Sequence, residues 1–177
     1  TDGITDAAGT RLGTRRGSGV AWLVPDLHGS VAAGLAPGAT AVSDALRYDG
    51  YGVTLAVHPT GGTGATAHWR YGGRLDLVPG SPDPAVPSLY DFGFREYAPA
   101  LGAFTSLDDL VGSAQDPGSL NRFLYAAANP ATLIDPDGHV ACSAMGADAA
   151  DCHAASNGTG NSGGSDAVQQ ARYAREG

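Results

Sequence analysis

Val20-Ala21-Trp22-Leu23-Val24 is followed by Pro25 and then by Asp26-Leu27-His28-Gly29. The first five residues are β-branched, aromatic or aliphatic, the composition of a short strand. Pro25 and the turn-like Asp-x-x-Gly stop it. The same alternation continues outward. Residues 30–33 read as a second strand, and Ala36-Pro37-Gly38-Ala39 as a turn. Residues 41–48 follow, closed by Asp49-Gly50, and then 51–57, before the Gly-rich run 61–64. Residues 67–71 and 74–78 have the pattern of a hairpin around Gly72-Gly73. Residues 1–19, rich in Gly, Thr and Arg, read as irregular chain or an edge strand. Many short strands with Gly and Asp turns specify antiparallel β structure and give little support to βαβ units.

Beyond Val78 the chain is rich in Pro, Ser and Asp up to Pro87, a loop, and 88–97 resumes as strand-like sequence. Residues 119–127 are the best helix candidate. Ser119 is placed to cap it, Leu120, Phe123 and Leu124 lie at helical spacing, and Asn129-Pro130 would end it. After Gly138 the composition shifts. Residues 154–166 carry almost no apolar side chain beyond Ala and read as disordered, with 168–175 as a frayed helix. The expected fold is therefore mainly β, with one short helix and a disordered tail.

The 177 residues suffice for one domain with a modest core. A formal charge of −8 argues against a free nucleic-acid binder, which usually carries a basic face. The basic residues are all Arg, which together with the Ala and Gly content reads as codon bias of a GC-rich bacterial genome. With 27 Gly and 11 Pro the chain turns often or has disordered parts. No stretch is long and apolar enough to span a membrane, and no signal peptide is visible. The start, Thr1-Asp2-Gly3-Ile4, reads as mid-protein sequence, so a fragment or processed piece is expected. Cys142 and Cys152 are close enough in sequence to bridge in an oxidising compartment, or to remain free thiols. No metal site is expected at Cys142, Cys152 and His153, where a fourth ligand and its spacing are missing, and no cofactor is expected.

Three stretches resemble one family. Asp26-Leu27-His28-Gly29-Ser30-Val31 followed by Arg47-Tyr48-Asp49-Gly50-Tyr51-Gly52 is similar to the "D-H-L-G-S-V … Y-x-Y-D-x-Y-G" pattern of RHS/YD-repeat proteins, with Leu and His exchanged. The run from Tyr90-Asp91-Phe92-Gly93-Phe94-Arg95 through Gly102-Ala103-Phe104-Thr105-Ser106-Leu107-Asp108 resembles the signature of the RHS repeat-associated core domain, "Y-D-x-G-x-R-x-Y-D-P-x-x-G-R-F-x-S-x-D". Asn121-Arg122-Phe123-Leu124-Tyr125, Asn129-Pro130 and Asp135-Pro136-Asp137-Gly138 resemble its ending, "N-x-Y-x-Y … N-N-P … D-P-x-G". The likeness covers roughly residues 20–139, with the motifs in the family's order.

The resemblance implies a YD-repeat β-shell at 1–78, a core domain at 79–139 that plugs it, and a variable tail at 140–177. It implies an exported bacterial protein, extracellular or on the cell surface. Implied partners are the rest of its own shell and a C-terminal toxin or secretion apparatus in the parent, without nucleic acid. Several members of the family cut their own chain one residue after D-P-x-G in an aspartyl-protease-like way, which here would be the His139–Val140 bond. By motif, the Arg and Asp that serve this cut fall on Arg95 and Asp108. The chain departs from the pattern at His139, where a large apolar residue is usual, at Ala98-Pro99 in place of Asp-Pro, and at Asp109 in place of Pro.

Hydrolysing an amide with carboxylates needs one ionised group to activate water and one neutral acid to protonate the leaving nitrogen. Two close carboxylates meet that need because both cannot ionise cheaply. Asp108 needs such a partner, and Asp109, Asp135 and Asp137 are all open as candidates. Arg95 would hold a carboxylate charged or stabilise an oxyanion. The same residues also suit structural work: Asp108 and Asp109 as turn caps, Arg95 stacked among aromatic rings, Asp135-Pro136-Asp137-Gly138 as a plain turn. Two non-catalytic alternatives stand beside the protease: a structural or cell-surface module with an uncut tail, and a glycan- or partner-binding surface using Trp22, Trp69 and the tyrosines.

Overall fold

The computed structural model describes residues 2–6, 11–58, 68–79, 87–112, 114–115, 117–139 and 141–143. Val140, Cys152, the expected disordered stretch 154–166, the expected helix 168–175 and most of the loop before Pro87 lie outside the described residues.

The chain is mainly β. Strands β1 (Asp2–Thr5), β2 (Arg11–Arg16), β3 (Gly19–Pro25), β4 (Val31–Leu35), β5 (Asp44–Tyr48) and β6 (Thr54–His58) form one antiparallel sheet in chain order. Residues 1–19, expected as irregular chain or an edge strand, supply both the edge strand β1 and its neighbour β2. Several strands begin later than their composition suggests, and the turns explain why. The Asp26 carboxylate Oδ1 accepts the amides of His28 and Ser30 at 2.8 and 2.9 Å, which holds 26–30 out of the ladder. Asp49 Oδ1 accepts the amides of Tyr51 and Val53, both at 2.9 Å, so β6 starts at Thr54. The edges β1 and β6 do not pair with each other, so these described strands make an open sheet and not a closed shell.

A second antiparallel sheet has the order β10-β9-β8-β7, from β7 (Leu75–Asp76), β8 (Tyr90–Asp91), β9 (Glu96–Ala98) and β10 (Ala103–Phe104). The hairpin expected around Gly72-Gly73 is present: the Arg70 amide donates to the Arg74 carbonyl at 3.0 Å and the Asp76 amide to the His68 carbonyl at 2.7 Å. Strand β11 (Leu133–Ile134) pairs with β12 (Cys142–Ser143), and Cys142 is disulfide-bonded.

The helix expected over 119–127 does not form. Two 3-10 turns, Pro117–Leu120 and Ala126–Ala128, flank a turn closed by the Leu124 amide on the Asn121 carbonyl at 3.1 Å, after which Leu124 bridges to Ala103. The spacing misleads because two of its three apolar positions stay largely in solvent: Leu120 is 54% exposed and Phe123 42%. So short a segment cannot sustain a helix without tertiary packing. The Phe123 carbonyl instead accepts the Phe104 amide, which delivers Tyr125 to the core.

Among the described residues, two clusters form the core. Leu23, Val31 and Leu46 pack under the large sheet with Ala21, Tyr48 and Trp69 against them. Tyr71, Tyr90, Phe92, Tyr97, Phe104, Tyr125 and Ala126 form the other, against which Tyr48, Tyr51 and Leu133 pack. Tyr48 belongs to both. A buried phenol needs an acceptor, and three of them find theirs on one turn. Tyr71 donates to the Gly50 carbonyl at 2.8 Å, Tyr97 to Tyr51 at 2.7 Å and Tyr90 to Gly52 at 3.3 Å. Gly52, at φ 90°, has no alternative there, since a Cβ would lie 2.5 Å from the Tyr71 ring. This turn anchors the C-terminal unit to the last strand pair of the sheet.

Candidate active site

Arg95 ends the tight turn between β8 and β9. Asp91 Oδ1 takes the Gly93 amide at 2.8 Å, and the Phe92 amide donates to the Arg95 carbonyl at 3.1 Å. The turn docks on the Asp-Pro-Asp-Gly segment, because the Phe94 amide donates to the Asp137 carbonyl at 3.1 Å. Gly138, at φ 92°, lets its backbone pass close to Arg95: a Cβ there would sit 3.2 Å from the Arg95 nitrogen.

Every nitrogen of the buried Arg95 guanidinium has a partner. Nε donates to the Gly138 carbonyl, Nη1 to the Arg122 carbonyl at 2.8 Å, and Nη2 pairs with Asp108 Oδ2 at 2.8 Å. The same Nη2 lies 3.7 Å from Asp135 Oδ2. The group rests on the Phe104 ring, its Cζ 3.7 Å from the centroid. Burial pulls the guanidinium below its ordinary value, while Asp108 and Asp135 push it back up.

Asp108 is held by its backbone as well. Its amide donates to the Arg122 carbonyl at 3.0 Å, its carbonyl accepts Arg122 Nε at 2.7 Å, and its Oδ1 takes the Leu110 amide at 3.0 Å. Asp135 is 2% exposed, and its Oδ1 accepts the Gly138 amide at 2.8 Å. Burial first, and then the nearby Asp137 charge, raise its carboxyl from 3.8 to about 6, against the Gly138 amide and Arg95.

Of the three second carboxylates left open by the sequence, Asp135 is the one that shares Arg95 with Asp108. Asp137 spends Oδ1 on the His139 amide at 3.0 Å, and the Asp109 side chain is 81% exposed. The His139 side chain is 15% exposed. Its ring lies on Phe94, centroids 4.1 Å apart, and its Nδ1 is 2.8 Å from Asp108 Oδ1 and 3.3 Å from Asp109 Oδ1. Val140, across the bond expected to be cut, lies outside the described residues. Arg122 and Phe94 belong to the site without any signal in the sequence. Arg122 falls on a variable position of its motif, so nothing local marks it.

No known family model matches the chain, and no curated protein does. Solved structures do. The crystal structure of TcdB2-TccC3-TEV is similar at 27% identity and a TM-score of 0.54, over 70% of this chain and 5% of that one. The crystal structure of TcdB2-TccC3-Cdc42 is similar at 22% identity and a TM-score of 0.55, over 77% of this chain and 6% of that one. TcdB2-TccC3 without its hypervariable C-terminal region is similar at 22% identity and a TM-score of 0.56, again over 77% and 6%. These neighbours contain an RHS-repeat protein, TccC3. With the ordered motifs of the sequence, these likenesses support an RHS-type fragment, and the chain spans a small part of the length of the proteins it matches.

Proposed function

We propose that this chain closes the end of an RHS shell and cuts its own backbone between His139 and Val140. The observation that carries the reading is a single buried guanidinium shared by two buried carboxylates, with its Nε on the Gly138 carbonyl beside the proposed cut. In this reading 1–78 are the last repeat strands, 79–139 the core that plugs them, and 140–177 the variable tail. TcdB2-TccC3 has a hypervariable C-terminal region, and the composition of this chain changes after Gly138. The remaining shell would continue from the open sheet edges. The parent protein would be exported, with a toxin or a secretion apparatus as its partner.

The chemistry divides between the two carboxylates. Asp108, ion-paired to Arg95, takes a proton from water as the water oxygen attacks the His139 carbonyl carbon. The fixed positive charge of Arg95 favours the negative charge that develops at that carbonyl. Asp135, whose raised pKa keeps it protonated in weak acid, gives its proton to the Val140 nitrogen as the C–N bond breaks. A carboxylic acid on His139 and an amine on Val140 result, and the acid then passes its proton to the amine. Asp108 ends protonated and Asp135 ionised. Cutting should therefore slow as the pH rises through about 6.

A second reading, a plug that does not cut, is favoured by the turn chemistry. Asp108 and Asp135 each clamp a backbone amide, as purely structural aspartates do. Intact-mass measurement separates the two readings, on freshly expressed chain and on a longer chain carrying upstream repeats. The cutting reading expects two pieces divided at His139–Val140, and one piece for Asp108→Asn. Uncut wild type in both chains would leave the plug.

A further inference from the structure

We propose that Asp108, Asp109 and His139 form a binding site for a divalent first-row transition ion of the zinc class. No ligand is expected at these residues from the sequence, and the inference goes beyond self-cleavage. All three residues lie on the upstream side of the proposed cut, so the site persists whether or not the chain is divided.

The geometry joins two segments distant in sequence. Nδ1 of His139 lies 2.8 Å from Asp108 Oδ1 and 3.3 Å from Asp109 Oδ1, and one donor atom from each residue falls within 4.8 Å of the others. Four-coordinate zinc holds N and O ligands at about 2.0–2.2 Å, which spaces neighbouring donors by roughly 3.3 Å. The Asp109 oxygen already meets that spacing from Nδ1, and the His139–Asp108 pair opens from 2.8 Å as an ion replaces their hydrogen bond. Two of the ligands are pre-set. The His139 ring is fixed on Phe94, and Asp108 is fixed by Arg95 on Oδ2 and by the Leu110 amide. The third, Asp109, is exposed and able to close over an arriving ion.

The donor set selects the ion class. One imidazole nitrogen with two carboxylate oxygens suits zinc, cobalt or manganese better than calcium, which takes six to eight oxygens. Three protein ligands leave a coordination position for water. Arg95 on the far oxygen of Asp108 acts as an outer partner that orients a ligating carboxylate.

Cobalt(II) titration of the full chain, followed by its visible absorption, tests the site, with zinc(II) as competitor. The wild type should saturate at one ion per chain and lose the signal to zinc. His139→Ala and Asp109→Asn should each weaken binding by more than about tenfold. Far-UV circular dichroism checks that His139→Ala folds; Asp109→Asn, at an exposed carboxylate, carries the test if it does not. A chain with His153→Ala in the tail should titrate as wild type. Absence of saturable binding, binding indifferent to Asp109→Asn, or loss of binding in the tail variant would each overturn the proposal.

Discussion

The large sheet and the unit that follows it use the same turn device and put it to different ends. In the sheet, Asp26 and Asp49 each clamp two backbone amides and face solvent. In the later unit, Asp108 and Asp135 clamp amides in the same way but are buried against Arg95. The cores differ in parallel. Three aliphatic side chains fill the one, while six aromatic rings dominate the other. An aspartate turn becomes a candidate for chemistry when an aromatic core removes it from water and gives it a shared cation.

The comparison is broken most severely at its aromatic side. Tyr97 is fully buried and its ring centroid is 4.3 Å from that of Tyr125. Tyr97→Ala should cost roughly 3–5 kcal/mol in chemical denaturation, the cost of emptying a large aromatic site. Loss of both units in one transition would show that the tyrosine-anchored turn couples them. Two separate transitions would show that each core stands alone.

Asp135 gives the next effect. Its carboxyl is raised from 3.8 to about 6 in the folded chain. Between those values the folded state keeps a proton that the unfolded state has lost. Stability therefore falls as the pH rises through this window and levels off above it. The span corresponds to roughly 3 kcal/mol. Asp135→Asn should flatten that slope in urea titrations from pH 4 to 7, and an unchanged slope would place the shift elsewhere.

Smaller changes sharpen the contrast. Tyr71→Phe removes the hydrogen bond to the Gly50 carbonyl and should cost about 1 kcal/mol, read as a lowered denaturation midpoint with unchanged slope. Asp49→Ala, at an exposed clamp, should cost about 1 kcal/mol or less. A larger loss at Asp49 than at Tyr71 would mean that the turn is held by its own clamp more than by the phenols.

The strands are legible in the sequence because their signals are local. Val20–Val24, Pro25 and the Asp-x-x-Gly turn need no distant partner to be read, and the Gly72-Gly73 hairpin likewise. The stretch at 119–127 misleads because helical spacing says nothing about whether a surface waits for Leu120 and Phe123. Arg95 and Asp108 are visible through their family motif, not through their own chemistry. The choice among Asp109, Asp135 and Asp137 is invisible, since it depends on which carboxylate the β8–β9 turn meets. The contact of His139 with Asp108 is equally hidden, because it joins two loops distant in sequence.

In the proposed reaction, burial against Arg95 turns an ordinary aspartate clamp into a cutting group. The rate of cleavage tests this most directly, in a chain carrying its upstream repeats, followed by intact mass for wild type, Asp108→Asn and Asp26→Asn. Cleavage at His139–Val140 is expected in wild type and Asp26→Asn, with a rate lower by more than about a hundredfold in Asp108→Asn. Equal cleavage in all three chains, or none in any, would contradict it.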